Sequence, residues 1–314
     1  MSKLRITVVG AGLMGAGVAH AFARKGCQVS LYSRRSQTLE EARRSIMAAE
    51  SRLAVSQSGQ SEYVSTIMFT DSLEQALADA QLVSENVSED LLLKQEILAR
   101  IESGVSGDCL ITTNTSSVPI SSLASALKDP GRFLGMHWFN PPVLMPLVEL
   151  IAGKETLESA MDQVETITRS IGKTTIRVRA DIPGFVVNRI QYAVLREALH
   201  LVESGVASIE DVDKAVKSTL APRWAAAGPL ELMDMAGLDT VIRVSDILLR
   251  ELSHTVEPSR ILQRLVQEGS LGCRSGQGFY SWTPERVEEV RELRDRTVNR
   301  LMAMDEQALG GSSL

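Results

Sequence analysis

The chain has 314 residues, 44% of them apolar and 23% charged, with a net charge of −6. That length allows two domains, and the acidic balance gives no basic face for nucleic acid or an anionic membrane. Three scattered cysteines (Cys27, Cys109 and Cys273) have neither metal spacing nor the number for a disulfide framework, and no apolar run reaches the roughly 18 residues of a membrane span. The expected setting is the cytoplasm, with no signal-peptide layout and the thiols as small core residues.

Residues 4–9 read as a short buried strand, followed by Gly10-Ala11-Gly12-Leu13-Met14-Gly15. Residues 16–25 carry small and apolar side chains at helical spacing, closed by Gly26. Residues 29–32 form a second strand, which completes a βαβ unit of about 30 residues. A polar helix over 37–55, interrupted at 56–61, leads to strands at 67–69 and 82–86, with a short helix at 72–79 between them. Then come a helix at 90–101, a strand at 109–113, a helix at 120–127, a strand at 133–136, a helix at 158–171 and a last strand at 174–178. This alternation predicts a Rossmann-type, doubly wound parallel sheet over residues 1–182. After Asp181-Ile182-Pro183-Gly184 the strand signals stop, and helices are expected at 185–203, 209–218, 229–252, 258–268 and 284–305. Residues 183–314 therefore read as an all-helical domain with a flexible tail at 310–313. The helix at 185–203 is apolar over more than half its circumference, which predicts burial on more than one side. The methionines read as core filler.

The glycine turn has the context that gives such a motif its meaning: strand before, helix after. Gly10 permits the turn, Gly12 lets backbone approach a pyrophosphate at the helix N-terminus, and Gly15 lets helix pack on strand. Leu13 and Met14 complete the cofactor-binding turn. At the end of the second strand, where NAD-specific folds place a carboxylate, stand Tyr32-Ser33-Arg34-Arg35. A hydroxyl at Ser33 and guanidiniums at Arg34 and Arg35 suit a 2′-phosphate, so NADP is expected in preference to NAD. The alternative is that both arginines are solvated loop charges.

Gly135-Met136-His137-Trp138-Phe139-Asn140-Pro141-Pro142 and Pro146-Leu147-Val148-Glu149-Leu150-Ile151 carry the chemistry. A lone carboxylate in an apolar run needs a partner, and an imidazole twelve positions earlier supplies one. Such a pair makes an acid/base that works near neutral pH. His20, His200 and His254 lack such surroundings and read as structural.

Taken in order, these motifs resemble the L-3-hydroxyacyl-CoA dehydrogenase family, together with Asn114-Thr115-Ser116-Ser117, Asp181-Ile182-Pro183-Gly184-Phe185-Val186-Val187-Asn188-Arg189 and Gly276-Gln277-Gly278-Phe279-Tyr280. The resemblance covers about residues 4–282. It implies that His137 is the catalytic acid/base and that Glu149 orients it. It also implies that Ser116 and Asn188 contact the reacting oxygen, that Asn140 supports the substrate, and that Glu89, Lys94 and Asn114 line the cofactor. Ser116, like Ser117, also suits a helix cap. A homodimer through the helical domain is implied as well.

Two departures keep the substrate open. Acyl-CoA binders of the family carry lysines after the second strand, whereas residues 53–69 here hold neither Lys nor Arg. Arg223, in Ala221-Pro222-Arg223-Trp224, suits a small free carboxylate, or else faces solvent or pairs with Glu231 or Asp234. The expected activity is hydride transfer on a 3-hydroxyacyl-CoA/3-oxoacyl-CoA pair. A non-CoA hydroxy or keto carboxylate is the alternative: similar sequences include gulonate, carnitine and pyridine-carboxylate dehydrogenases, and Glu85-Asn86-Val87 with the His137 stretch resembles the last of these. A cofactor-binding structural protein without turnover is a remote third reading.

Overall fold

Strand β1 (Arg5–Val9) alternates its buried side chains, with Ile6 and Val8 on one face of a sheet and Val9 on the other. Burial on both faces is the mark of a parallel sheet covered by helices. The structure, a computed structural model, describes residues 3–54 and 66–310. The larger part of the Lys- and Arg-free stretch 53–69, the interruption at 56–61 and the tail at 311–314 lie outside the described residues.

From β1 the chain runs through α1 (Leu13–Arg24), β2 (Gln28–Tyr32), α2 (Ser36–Ala54), β3 (Ile67–Thr70), α3 (Leu73–Leu77) and β4 (Leu82–Glu85). It continues through α4 (Leu91–Gly104), β5 (Leu110–Thr113), α5 (Ile120–Ala124), β6 (Phe133–Trp138), β7 (Leu147–Ile151), α6 (Glu158–Ser170) and β8 (Thr174–Val178). The eight strands form one sheet, ordered β3-β2-β1-β4-β5-β6-β7-β8. Phe22 of α1, Leu39 and Ile46 of α2 and Val164 of α6 cover one face; Leu77 of α3, Leu98 and Ile101 of α4 and Leu123 of α5 cover the other. Side-chain caps set two of the helix starts: Ser72 accepts from Gln75 N–H and Asp90 from Leu93 N–H. The strand order reverses between β1 and β4, the switch point at which doubly wound sheets open a ligand crevice.

The sheet departs from the expected uniform parallel pattern at β7. Strands β1 to β6 are parallel, but β7, a strand the residue pattern did not announce, runs antiparallel to β6. Strand β8 then pairs parallel to β7. The connection at residues 139–146 is the reason, because a parallel return needs a crossover of a dozen or more residues. Strand β6 also extends past residue 136 to Trp138, and all six of its residues are buried.

The chain divides into two compact units, Met1–Asn188 and Arg189–Leu314. Helix α7 (Val187–Glu203) begins in the first, and the second is helical: α8 (Ile209–Ala215), a wider turn at Val216–Leu220, α9 (Ala221–Ala226), α10 (Pro229–Ala236), α11 (Leu238–Glu251), α12 (Arg260–Gln267) and α13 (Pro284–Gly310). Gly237, at φ +89°, splits the helix expected at 229–252. Among the described residues of this unit only Leu199 and Ser253 are buried. Within the single chain, then, α7 is not covered on several sides as its apolar pattern predicts. Met235, 80% exposed, and Met304 are not core filler either. Cys27 and Cys109 are buried as expected, whereas Cys273 is exposed. No helix among the described residues is long and apolar enough to cross a membrane.

Candidate active site

The carboxyl ends of β1, β4, β5 and β6 lie along one edge of the sheet; the glycine turn follows β1, Glu89 follows β4, Asn114 and Ser116 follow β5, and His137 stands near the end of β6. After β1, Gly10 adopts φ +106° and donates its N–H to Tyr32 O at 2.9 Å. A Cβ on Gly15 would stand 1.8 Å from Gly10 O, so only glycine lets α1 start this close to the strand. A Cβ on Gly12, by contrast, would meet nothing within 4 Å. Gly12 therefore faces open space at the N-terminus of α1, where the first-turn N–H groups have no helical acceptor and favour an anion. Leu13 is exposed and Met14 half-buried beside it. This open, glycine-lined helix start fits the pyrophosphate of a dinucleotide. Ser33 follows β2, with its Oγ accepting from Arg35 N–H at 3.3 Å, and the Arg34 and Arg35 side chains are exposed.

At the ends of β4 and β5 lies a buried polar network. Lys94, with no exposed surface, places Nζ 3.1 Å from both carboxylate oxygens of Glu85 and 3.4 Å from Glu89 Oε2. It also donates to Val87 O and Asn114 O. Glu85 accepts further from Thr113 Oγ1 at 2.6 Å and from Val87 N–H. Glu89 Oε1 gathers the 115–117 turn: Ser116 N–H at 2.8 Å, Ser117 N–H at 3.0 Å and the hydroxyls of Thr115, Ser116 and Ser117. Burial alone would raise the Glu89 pKa, but the Thr115 and Ser116 hydrogen bonds and the Lys94 charge outweigh it and hold the carboxyl below its ordinary value. Asn114 donates to Asn86 Oδ1 at 2.9 Å and accepts from Trp138 N–H at 3.1 Å, which ties the β5 end to β6. Ser116 stands exposed on the turn.

The antiparallel pairing of β6 and β7 sets His137 directly opposite Glu149. His137 Nδ1 is 2.7 Å from Glu149 Oε2, and Glu149 has no exposed surface. The other carboxylate oxygen accepts from Val186 N–H at 3.0 Å and Val187 N–H at 2.9 Å, at the very start of α7. The carboxylate thus caps the N-terminus of α7, and Asn188 is the next residue along. Phe139 and Phe185 pack edge-on against the imidazole, with ring centroids 4.7 and 5.5 Å away. Asn140 follows Phe139 and is exposed. In the second unit Arg223 donates to Thr219 O at 3.2 Å, while Glu231 caps Gly228 N–H.

Some contacts of this site are not given by the motifs that hold the residues: Glu85 pairs with Lys94, and the amides of Val186 and Val187 bind Glu149. Lys94 stands three, four and seven positions before the buried Ile97, Leu98 and Ile101, spacing that already places its stem on the core face of α4. One expectation fails: His20 does have an acidic neighbour. It is buried against Glu50 of α2, whose Oε1 also lies 3.3 Å from Arg24. Burial lowers the His20 pKa despite that carboxylate.

Sheet order, glycine turn and the switch-point network define a dinucleotide-binding α/β oxidoreductase. Comparison with known proteins narrows the class. Residues 5–182 match the 3-hydroxyacyl-CoA dehydrogenase NAD-binding domain, and residues 184–282 match the 3-hydroxyacyl-CoA dehydrogenase C-terminal domain. The chain belongs to the 3-hydroxyacyl-CoA dehydrogenase family, and it is a nicotinamide-dependent dehydrogenase acting on a hydroxyl group. It is 37% identical over 292 residues to 5-formyl-3-hydroxy-2-methylpyridine 4-carboxylate 5-dehydrogenase of Mesorhizobium japonicum, covering 93% of this chain and 94% of that one. A solved structure of a dehydrogenase of that name, an NAD+ dependent dismutase, superposes with a TM-score of 0.90 at 36% identity, covering 97% of this chain and 99% of the other. The (S)-3-hydroxybutyryl-CoA dehydrogenase of Ralstonia eutropha gives a TM-score of 0.73 at 33% identity, covering 90% of this chain and all (100%) of that one.

Proposed function

We propose that the enzyme interconverts a 3-hydroxyacyl-CoA and its 3-oxoacyl-CoA, with His137 as acid/base. The observation that carries this reading is the 2.7 Å contact between His137 Nδ1 and the buried Glu149. Glu149, acceptor only, fixes the proton on Nδ1 and leaves the Nε2 lone pair free to take a hydroxyl proton. The imidazolium so formed gains from the adjacent carboxylate. Ser116 and Asn188 hydrogen-bond the reacting oxygen, and Asn140 supports the substrate. The N–H groups of α1 at Gly12, Leu13 and Met14 hold the pyrophosphate, and Glu89 and Asn114 border the nicotinamide side. Lys94, its donors engaged by protein, supports Glu89 and Asn114 from beneath. Bound there, the nicotinamide supplies or accepts the hydride. Turnover of acetoacetyl-CoA tests the reading; no turnover of any acyl-CoA overturns it.

A second reading, a non-CoA hydroxy or keto carboxylate, is favoured by the TM-score of 0.90 to the pyridine-carboxylate enzyme and by the absence of Lys and Arg from 53–69. Arg223 is its proposed carboxylate ligand. A panel of free keto acids against acetoacetyl-CoA decides between the two. For the cofactor, Ser33, Arg34 and Arg35 support a preference for NADP; a higher kcat/KM with NAD overturns it. The assembly is read as a homodimer through the helical unit, supported by the exposed apolar side chains of α10 and α11, Leu230, Leu238, Ile242 and Ile247 among them. The three free thiols suit the reducing cytoplasm, which cell fractionation tests.

A further inference from the structure

The loop at residues 139–146 joins the strand of His137 to the strand of Glu149. Its internal bonds are few: Leu144 and Met145 N–H both donate to Pro141 O at 3.0 Å. Three of its carbonyls turn instead to one ammonium. Lys173 Nζ lies 2.7 Å from Pro142 O, 2.7 Å from Met145 O and 3.5 Å from Val143 O. The ladder places it there. Leu147 of β7 pairs with Thr174 of β8, and Thr174 N–H donates to Pro146 O at 2.9 Å, so the residue before β8 lies beside the loop's end. Lys173 Nζ also stands 5.8 Å from the Trp138 ring centroid. On another side the loop touches α1: a Cβ on Gly17 would come within 2.7 Å of Pro142 Cδ. The loop is thus gripped between the glycine-led helix and a half-buried cation, and it begins with Phe139, whose ring packs on His137.

We infer that Lys173 is a positioning residue for hydride transfer: its ammonium locks the 139–146 loop and thereby holds Phe139 and the His137 imidazole in line with Glu149. This rests on the reading of His137 and Glu149 given above. An ammonium has three donors and the loop presents three carbonyls, so a neutral apolar side chain leaves part-buried acceptors without that partner. Burial, together with the Lys25 ammonium at the end of α1, brings the Lys173 pKa down to about 8. Lys25 is the other charged group that faces it among the described residues. The lock therefore loosens as pH rises through that value.

The test measures kcat and KM for alcohol oxidation from about pH 6 to about pH 10 in wild type, Lys173→Met and Lys173→Arg, with cofactor Kd from nucleotide fluorescence. Oxidation is chosen because His137 then works unprotonated, so an alkaline decline is not its own. The wild type is expected to lose kcat above about pH 8. Lys173→Met should lose about 10- to 100-fold in kcat, the scale of a small misplacement, with cofactor Kd within about twofold and no alkaline decline. Lys173→Arg, charged throughout, should recover part of kcat and stay flat at high pH. Wild-type kcat and pH profile in Lys173→Met overturn the inference. If Lys173→Met does not fold, Lys173→Arg decides alone: a flat limb supports the inference, and an unchanged decline overturns it. Undiminished kcat in Glu149→Gln would sink the reading of the pair whatever Lys173 does. An inactive Glu149→Gln beside a fully active Lys173→Met would sink only this inference.

Discussion

Replacing Glu149 by glutamine changes the site by one atom type and is expected to remove nearly all turnover. Glu149 Oε1 accepts from two backbone N–H groups, at 3.0 and 2.9 Å. The glutamine carbonyl must take that place, because an amide NH2 turned to two N–H donors leaves all of them unpaired. The NH2 then faces His137 Nδ1, which has to become an acceptor. The imidazole proton moves to Nε2, and the nitrogen that should take the substrate proton no longer has a lone pair. In a Ser-His-Asp triad such a wrong-tautomer change costs roughly 10⁴ in kcat. The charge loss is an independent route to a similar figure. Unit charges about 4 Å apart at an effective dielectric of about 20 interact by about 4 kcal/mol, or about three decades in rate. The expected outcome is a loss of about 10³- to 10⁴-fold in the single-turnover rate of hydride transfer, followed by nicotinamide absorbance. Cofactor affinity, which the proposed function assigns to the glycine turn, should stay within about twofold. A variant that turns over within about threefold of wild type would refute the argument from tautomer and charge together.

Three further outcomes follow from other parts of the molecule. Gly12→Ala places its Cβ in open space and should fold with unchanged thermal stability, yet lose about 10- to 100-fold in dinucleotide affinity, because the methyl occupies the line of approach to the α1 N–H groups. Calorimetric titration checks this, and wild-type affinity contradicts it. Lys94→Met strands Glu85 in a site with no exposed surface and should cost about 3–5 kcal/mol in denaturant unfolding; adding Glu85→Leu should recover much of it, and no recovery would show that the charge is not the cause. Ile242→Glu, at a residue 63% exposed on α11, should convert the proposed dimer to a folded monomer in light scattering, and an unchanged mass would move the interface elsewhere.

What could be read from the sequence followed from constraints that act over short spans. Gly10 and Gly15 show themselves because a positive φ at the first, and a helix start that would put a Cβ of the second 1.8 Å from Gly10 O, admit no other residue. Glu149 shows itself because a carboxylate between Val148 and Leu150 has no water to turn to. The parts that stayed hidden depend on distant segments. The His20 and Glu50 partners lie 30 residues apart on two helices, and neither segment hints at the other. The reversal at β7 comes from loop length, a weaker signal than strand pattern, and parallel order was extended across it. The helix at 185–203 reads as covered on more than one side, although within the single chain Leu199 is the one buried residue of α7 among those described. Hydrophobic period reports that a face will be covered and says nothing of which chain covers it.

The doubly bonded Glu149 carboxylate gives the reversal at β7 its chemical sense. One oxygen contacts His137 and the other holds the start of α7, one residue before Asn188, so the proposed base and the proposed oxygen contact are set by the same side chain. This makes Glu149→Asp informative. The charge remains and the tautomer is still dictated by an acceptor-only group, but the side chain is shorter by one methylene. From the β7 backbone it cannot reach both Nδ1 of His137 and the amides of Val186 and Val187. If charge alone matters, Glu149→Asp should approach wild-type kcat. If the coupling of the two contacts matters, kcat should fall by about 10- to 100-fold, the scale of a small misplacement, and substrate KM should rise with it as Asn188 shifts. Loss of kcat with KM unchanged would separate the orientation of His137 from the placement of Asn188 and refute their coupling through Glu149.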